Sequence, residues 1–170
     1  MVILIVELTC RKASGSEALK LEYELTQPSS EAEFEQYFKL RWRVLREPWG
    51  QPSGSERDEL EDAEATYHVA AQSADGRMIG VGRVHLNSAQ EAQIRYMAVE
   101  DECRKLGIGR AIVEALEAYV ERQATHWIVL NARDKVLGFY EQLGYRFVEA
   151  GPTMFGTIKH SKLEKRLDGR

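Results

Sequence analysis

A short basic loop with two glycines is the segment of this sequence best suited to chemistry. It reads Arg104-Lys105-Leu106-Gly107-Ile108-Gly109-Arg110 and stands between a run with strand character and a run with helical apolar spacing. Glycines let a backbone approach an anion without a Cβ in the way. The first N–H groups of a helix point outward and carry partial positive charge. The loop therefore predicts a phosphate or pyrophosphate site, to which its basic side chains add charge.

The glycine spacing excludes two common nucleotide-binding loops. No Gly-Lys-Ser/Thr follows, which excludes a P-loop, and two glycines instead of three exclude G-x-G-x-x-G. The alternative interpretation is a helix that merely begins with two glycines. The loop alone does not decide between them.

Elements that could position the loop follow from the apolar periodicity of the chain. Alternating or continuous apolar runs predict strands, and apolar residues at i, i+3, i+4 and i+7 predict helices. The order β-α-β-β-β-α-β-α-β-β predicts an α+β fold around one mixed sheet. The predicted strands cover 19–26, 66–73, 78–87, 92–99 and 126–131, with two more near 145–150 and 157–167; the predicted helices cover 31–46, a stretch from 108 to 120, and 133–143.

Two connections have sequence signals of their own. Asp75-Gly76 between apolar runs predicts a β-hairpin. Residues 47–65 are rich in Pro, Gly, Ser, Glu and Asp and have no clear periodicity. A loop of this length is either a lid or binding loop or a solvated acidic connector.

Composition limits the function classes. A length of 170 residues suits one domain, and a net charge of -4 disfavours general nucleic-acid binding. Two cysteines without a C-x-x-C pair predict neither a disulfide scaffold nor a metal site, which suggests the cytoplasm. The apolar run 2–6 is far short of the roughly 18–20 residues of a membrane span. We therefore expect no membrane association. We expect residues 1–18 to form an N-terminal extension, either as an extra strand or as a loosely attached segment.

Two motifs resemble those of the GNAT superfamily of N-acetyltransferases. Arg104-x-x-Gly107-x-Gly109 is similar to the signature Q/R-x-x-G-x-G/A, and 130–145 is similar to the second motif, N-x-x-A…F-Y-x-x-x-G-F. The resemblance covers about 19–167 and is most secure over 92–148. It implies a single GNAT-like domain over 19–170, with a mixed, mostly antiparallel, twisted sheet and helices on both faces.

The resemblance also implies acetyl-CoA as cosubstrate and a set of residues that hold it. Strand residues would contact the pantetheine arm, the basic loop would bind the pyrophosphate, Asn131 would lie near the thiol end, and Tyr140 would protonate the departing thiolate. Packing within its helix is the alternative role for Tyr140. The implied cofactor-binding residues are Met97, Ala98, Val99, Arg104, Lys105, Leu106, Gly107, Ile108, Gly109, Arg110, Asn131 and Tyr140, and Tyr140 is the implied catalytic residue.

The base that accepts the amine proton is not given by the resemblance. Some members use a glutamate early in the strand before the loop, where this chain has Gln93, and an amide cannot accept a proton at neutral pH. A water chain is one alternative. The side-chain candidates are His68, His85, His160, Glu56, Asp58, Glu59, Glu61 and Asp62.

Three functions are compatible with these observations. The first is an N-acetyltransferase that acts by direct amine attack on acetyl-CoA, with a small-molecule or peptide amine as acceptor. The second is an acyl-CoA sensor without turnover, and the third is a protein that binds another phosphorylated ligand at the basic loop. Trp42, Trp49 and the acidic run after Gly54 suit a cationic acceptor. The resemblance allows a homodimer.

Overall fold

Eight strands form one sheet in the computed structural model, which describes residues 4–9 and 20–167. The strands are β1 (Leu4–Thr9), β2 (Lys20–Thr26), β3 (Thr66–Ser73), β4 (Met78–Leu86), β5 (Glu91–Val99), β6 (Trp127–Arg133), β7 (Arg146–Met154) and β8 (Ile158–Arg166). The helices are α1 (Glu31–Leu45), α2 (Ile108–Arg122) and α3 (Leu137–Glu141). Strand order in the sheet is β1-β2-β3-β4-β5-β6-β8-β7.

The sheet is mixed, which confirms the α+β prediction. Strands β5 and β6 run parallel, whereas β1/β2, β2/β3, β6/β8 and β7/β8 are antiparallel. The described residues group into two compact units, one of 4–9, 20–58, 68–82 and 96–115 and the other of 59–67, 83–95 and 116–167. Among the described residues, no helix has the length and apolar character that a membrane span requires.

Helix α1 packs its buried face into the core of the first unit. The Ser30 side chain accepts a hydrogen bond from the Glu33 N–H, and the Glu33 carboxylate accepts one from the Ser30 N–H, so a capping box starts the helix. Its core face then meets side chains of the neighbouring strands. This cluster contains Tyr37, Phe38, Leu40, Ala70, Met78, Val81 and Ala98.

Helix α2 begins in direct contact with strand β4 at Gly80. A Cβ placed on Gly80 would lie 2.8 Å from Ile108 Cγ2 and 2.9 Å from Ile112 Cδ1. Real Cβ atoms do not approach carbon atoms that closely, so the glycine is what permits this spacing. The first turn of α2 therefore rests on the backbone of the sheet.

The second unit is held together by hydrogen-bonded ladders and one partly buried ion pair. Strand β6 pairs with β8 from Trp127 opposite Arg166 to Arg133 opposite His160. Lys165 Nζ lies 2.7 Å from Glu117 Oε2, and the Tyr145 hydroxyl donates to Glu117 Oε1 at 2.9 Å. These contacts join the second half of α2 to β8 and to the start of β7.

The predicted strands agree with the structure to within four residues at each end, and the predicted helix at 133–143 is wrong in extent. The antiparallel ladder keeps 131–133 in β6, a 3₁₀ turn follows over Asp134–Val136, and α3 spans only Leu137–Glu141. The Ser161 hydroxyl donates to Asp134 Oδ1 at 2.9 Å, which fixes the turn against β8.

The two expectations for the N-terminal region differ in outcome. Residues 4–9 form a strand that pairs with β2, from Leu4 opposite Leu25 to Thr9 opposite Lys20. The rest of the predicted extension over 1–18 lies outside the described residues.

We predict that Gly80→Ala lowers the free energy of unfolding by about 1–3 kcal/mol, because the added methyl forces Ile108 and Ile112 away from β4. Urea denaturation measures this. Gly138→Ala is the matched control, since Gly138 has open space around its Cβ position and lies in a helix, where alanine is favoured. An unchanged denaturation midpoint for Gly80→Ala would contradict the packing described above.

Candidate functional site

The basic loop adopts a backbone suited to holding an anion. Lys105 and Gly107 have left-handed φ angles of 64° and 78°, and α2 starts immediately afterwards at Ile108. The Ala111 N–H donates a hydrogen bond to the Gly107 carbonyl, and this bond closes the first turn of the helix. Left-handed residues next to a helix start turn successive N–H groups to one side, which forms an anion-binding concavity. The backbone of the loop therefore has a form that can hold an anion.

The basic side chains of this loop are exposed and weakly engaged. Arg104 lies 2.6 Å from Asp101, and Arg110 lies 3.8 Å from Glu114. The four side chains are between 48% and 83% exposed, and exposed pairs of this kind contribute about 0–1 kcal/mol. Both arginines can therefore turn toward a phosphate at small cost.

Cys103 precedes the loop and is buried as a free thiol. Burial raises the pKa of this thiol, with smaller opposing and reinforcing effects of the charges on Arg77 and Glu102. A thiol kept protonated in this way is a poor nucleophile. The structure therefore gives Cys103 a packing position beside the loop.

Strand β5 changes direction just before the residues that the sequence assigned to a cofactor. Its parallel ladder with β6 runs from Glu91 opposite Trp127 to Ile94 opposite Leu130. Tyr96 then has a left-handed φ of 56°, which an extended strand does not contain. Ala98 beyond it is buried, while Met97 and Val99 are half-buried.

The two remaining predicted site residues, Asn131 and Tyr140, belong to the second unit. Asn131 is exposed in β6, opposite Lys162, and a Cβ on Gly151 would lie 3.1 Å from its Oδ1. Gly151 thus leaves the space in which the Asn131 amide sits.

Tyr140 lies in α3 with its side chain buried beside two aromatic rings. Its ring centroid is 4.8 Å from that of Phe139 and 5.7 Å from that of Tyr145, both in edge-on arrangements. Burial raises the pKa of the Tyr140 hydroxyl above its usual value.

One of the three candidate histidine bases packs against aromatic rings. His68 is buried in the first unit, with its ring edge-on to Phe34 and Tyr37 at 5.3 Å. His85 is buried next to Arg83, at 3.5 Å from Nδ1 to Nη2. His160 Nδ1 lies 3.0 Å from the Ile158 carbonyl.

The acidic candidates are likewise held by specific contacts. Glu61 lies 2.8 Å from the fully buried Arg83, and both side chains are less than a tenth exposed. Glu56 accepts a hydrogen bond from the Gly54 N–H, and Asp58 accepts one from the Tyr96 hydroxyl. Glu59 and Asp62 are exposed, and Gln93 is half-buried opposite Val129. Within the part of the chain that the structure describes, no three His, Cys, Asp or Glu side chains form a metal-binding group.

The sequence analysis did not predict three features of the site. The glycine at position 80, inside an apolar strand, is a recognised signal of close backbone approach and could have been read as one. The left-handed conformation of Tyr96 and the complete burial of Arg41 have no comparable signal, since tyrosine is rare at positive φ and arginine is rare in cores.

Comparison with known proteins adds an independent set of findings. Residues 50–167 match the family model described as "Acetyltransferase (GNAT) domain". A provisionally named acetyltransferase of Bacillus subtilis (strain 168) is 28% identical over 82% of this chain and 94% of its own length. Serotonin N-acetyltransferase 2 of Oryza sativa subsp. japonica is 33% identical over 52% of this chain and 45% of its own length.

Solved structures share the fold. An aminoglycoside 6'-N-acetyltransferase complexed with coenzyme A superposes with a TM-score of 0.72 at 19% identity, over 86% of this chain and 98% of that one. At this identity the likeness concerns the fold.

We predict that stability falls more steeply above about pH 10 in the wild type than in Tyr140→Phe. An unfolded tyrosine releases its proton near pH 10.0, whereas burial keeps the folded Tyr140 protonated to higher pH. The unfolded state then binds fewer protons, so the free energy of unfolding falls by up to about 1.4 kcal/mol per pH unit. Urea denaturation of both proteins between about pH 9 and 11 checks this. Parallel curves for the two proteins would contradict the burial of the hydroxyl.

Proposed function

Because the chain belongs to the GNAT acetyltransferase family, we propose that it moves the acetyl group of acetyl-CoA to a primary amine of a small molecule or peptide. The observation that supports this most directly is the left-handed backbone at Lys105 and Gly107 at the start of α2. A pyrophosphate is the anion that such a concavity fits, and the exposed side chains of Arg104, Lys105 and Arg110 surround it with positive charge.

Different groups of the chain can perform the separate steps of acetyl transfer. Bound acetyl-CoA supplies an activated thioester, so no covalent enzyme intermediate is needed. In this proposal the backbone of Leu106 to Arg110 holds the pyrophosphate, and N–H groups of Met97–Val99 hold the pantetheine arm and polarise the carbonyl. Asn131 contacts the thiol end, where Gly151 leaves room for its amide.

Tyr140 is the proposed donor of a proton to the leaving thiolate. Its raised pKa keeps the phenol protonated at neutral pH, so the proton is available. Burial also raises the pKa of a thiol, because both anions lose hydration in the same environment. The transfer is therefore less unfavourable than the raised phenol pKa alone indicates.

The proton of the amine needs a different acceptor. Gln93 cannot accept it, and His68 is used in aromatic packing. Glu61 is held by Arg83 in an ion pair, so its carboxylate is already engaged. The routes that stay proposed are a water chain and the side chains of His85, His160, Glu56, Asp58, Glu59 and Asp62.

A cationic amine is the proposed acceptor. Trp42 near the end of α1 and Trp49 in the loop that follows are half-buried, and the same loop contains the exposed acids Glu59 and Asp62. Two similar proteins carry amine acceptors in their names, serotonin in one and an aminoglycoside in the other. Both compounds are cationic near neutral pH, which matches the acidic residues of this chain.

A thiol-release assay tests the proposal. Acetyl-CoA is incubated with the protein and one amine at a time: serotonin, an aminoglycoside, spermidine and a short peptide with a free N-terminus. We expect acetylation of at least one amine, verified by a mass increase of one acetyl group. Binding of acetyl-CoA without release of thiol across the panel would favour the sensor function. Stabilisation by ATP but not by CoA would favour another phosphorylated ligand.

Assembly and location are further parts of the proposal. We propose a homodimer in the cytoplasm, where the buried thiol of Cys103 would stay reduced. Light scattering at micromolar concentration tests the dimer, and a mass equal to one chain would reject it.

We predict that acetyl-CoA at ~100 times its dissociation constant stabilises the wild type by about 2.7 kcal/mol, or roughly 5–10 °C in Tm. Gly107→Glu should abolish this shift, because a side chain and a negative charge enter the pyrophosphate position. Gly156→Glu is the matched control: Gly156 also has a left-handed φ, at 70°, and has open space around its Cβ position. A full shift in Gly107→Glu would show that the loop does not bind the cosubstrate.

We predict that Tyr140→Phe lowers kcat by ~10²-fold or more while the affinity for acetyl-CoA changes little, since the ring stays and the proton donor goes. Steady-state kinetics with the best amine of the panel, together with calorimetric titration of acetyl-CoA, measures both. Phe139→Leu controls for disturbed packing at the neighbouring ring. If kcat is unchanged while chemistry limits turnover, Tyr140 only packs.

A further inference from the structure

The loop that follows α1 is fixed through its backbone by side chains of that helix. Three donors, one indole and two guanidinium groups, reach carbonyl oxygens of the segment 51–58. The bonds are Trp42 Nε1 to Gln51 O at 3.0 Å, Arg46 Nε to Ser55 O at 2.9 Å, and Arg41 Nη1 to Glu56 O at 3.1 Å. Because the acceptors are main-chain atoms, these bonds define the path of the loop whatever its side chains are.

Tyr96 connects this loop to strand β5. Its hydroxyl donates a hydrogen bond to Asp58 Oδ2 at 3.2 Å. The guanidinium carbons of Arg41 and Arg46, which hold the loop backbone, lie 4.4 Å and 5.6 Å from the centre of its ring. One side chain of the strand therefore contacts both the end of the loop and the groups that hold its middle.

The position of Tyr96 in strand β5 places these contacts next to the proposed coenzyme site. It directly precedes Met97–Val99, the residues proposed to hold the pantetheine arm. Its φ of 56° lies in the small left-handed region, which is bounded by steric clashes on all sides. A shift of the following strand residues is therefore passed on to the Tyr96 side chain, because the backbone at this residue has little freedom to absorb it.

We infer that Tyr96 couples coenzyme binding at Met97–Val99 to the order of loop 51–58, and thereby positions the amine acceptor. This inference rests on the proposed function. Tyr96 acts through Asp58 and the two arginines and is a positioning residue. Because binding coupling is reciprocal, the acceptor should also bind more tightly when coenzyme is present, by the same factor.

Amide hydrogen exchange tests the coupling without turnover. Peptides from 51–58 and from 97–110 are followed in the full-length protein with and without coenzyme A. In the wild type we expect coenzyme A to slow exchange in both, with about a 10-fold effect in the loop, the scale of one hydrogen bond to a charged group. In Tyr96→Phe the slowing at 97–110 should persist, and that in 51–58 should fall below about 2-fold.

Two further variants sharpen the result. Asp58→Ala should behave like Tyr96→Phe, and the double variant should add nothing, because each substitution removes one partner of the same hydrogen bond. Tyr119→Phe removes a hydroxyl from a ring stacked on Tyr67 in the second unit and should leave loop exchange unchanged. Comparable Tm values for all variants establish that each is folded.

Kinetics supplies the second readout. With the best amine of the panel, Tyr96→Phe should raise the acceptor KM by about 5- to 10-fold and change kcat by less than about 2-fold, since a misplaced loop weakens acceptor binding. Coenzyme A that slows exchange at 97–110 but not at 51–58 in the wild type would overturn the coupling and leave the proposed function standing. No slowing in either segment would overturn the proposed function, and the coupling with it.

Discussion

The contact between the start of α2 and the backbone of β4 determines where the basic loop lies. Ile108 and Ile112 occupy the volume in which any other residue at position 80 would have its Cβ. The helix start carries the loop with it, so the N–H groups after Gly107 take their direction from this packing. Van der Waals contact is short-ranged, and a displacement of a few tenths of an ångström at the glycine would shift the proposed anion position. The proposed charge-based site thus depends on an uncharged contact.

Buried arginines fix the position of the loop after α1. Arg41 and Arg83 are both fully buried, one with aromatic rings around its guanidinium and the other paired with Glu61. A buried guanidinium is tolerated when its hydrogen bonds and charge are compensated, and removal of one partner is costly. Such groups hold irregular backbone well because they offer several donors in a rigid plane. The long segment without periodicity is accordingly tied to the helix that precedes it.

Much of the fold could be predicted because periodicity reports burial directly. Strand β3 matches its predicted bounds, and the predicted hairpin is closed by a hydrogen bond from the Ser73 N–H to the Arg77 carbonyl. The helix expected at 133–143 failed because pairing with β8 holds 131–133 extended, and the apolar spacing after it does not reveal a partner strand that comes later in the chain. Motif resemblance gave the loop residues, whereas the left-handed Tyr96 depends on contacts between distant segments that no local pattern contains.

The backbone conformation of Lys105 affects which substitutions evolution would favour at this position. A lysine at a φ of 64° is strained, and glycine or asparagine would adopt that backbone more easily. Selection for thermal stability alone would therefore replace it. If the proposed anion cradle is correct, the position trades folding free energy for a positive charge beside it, and laboratory evolution for heat resistance would erode ligand affinity here before it damages the core.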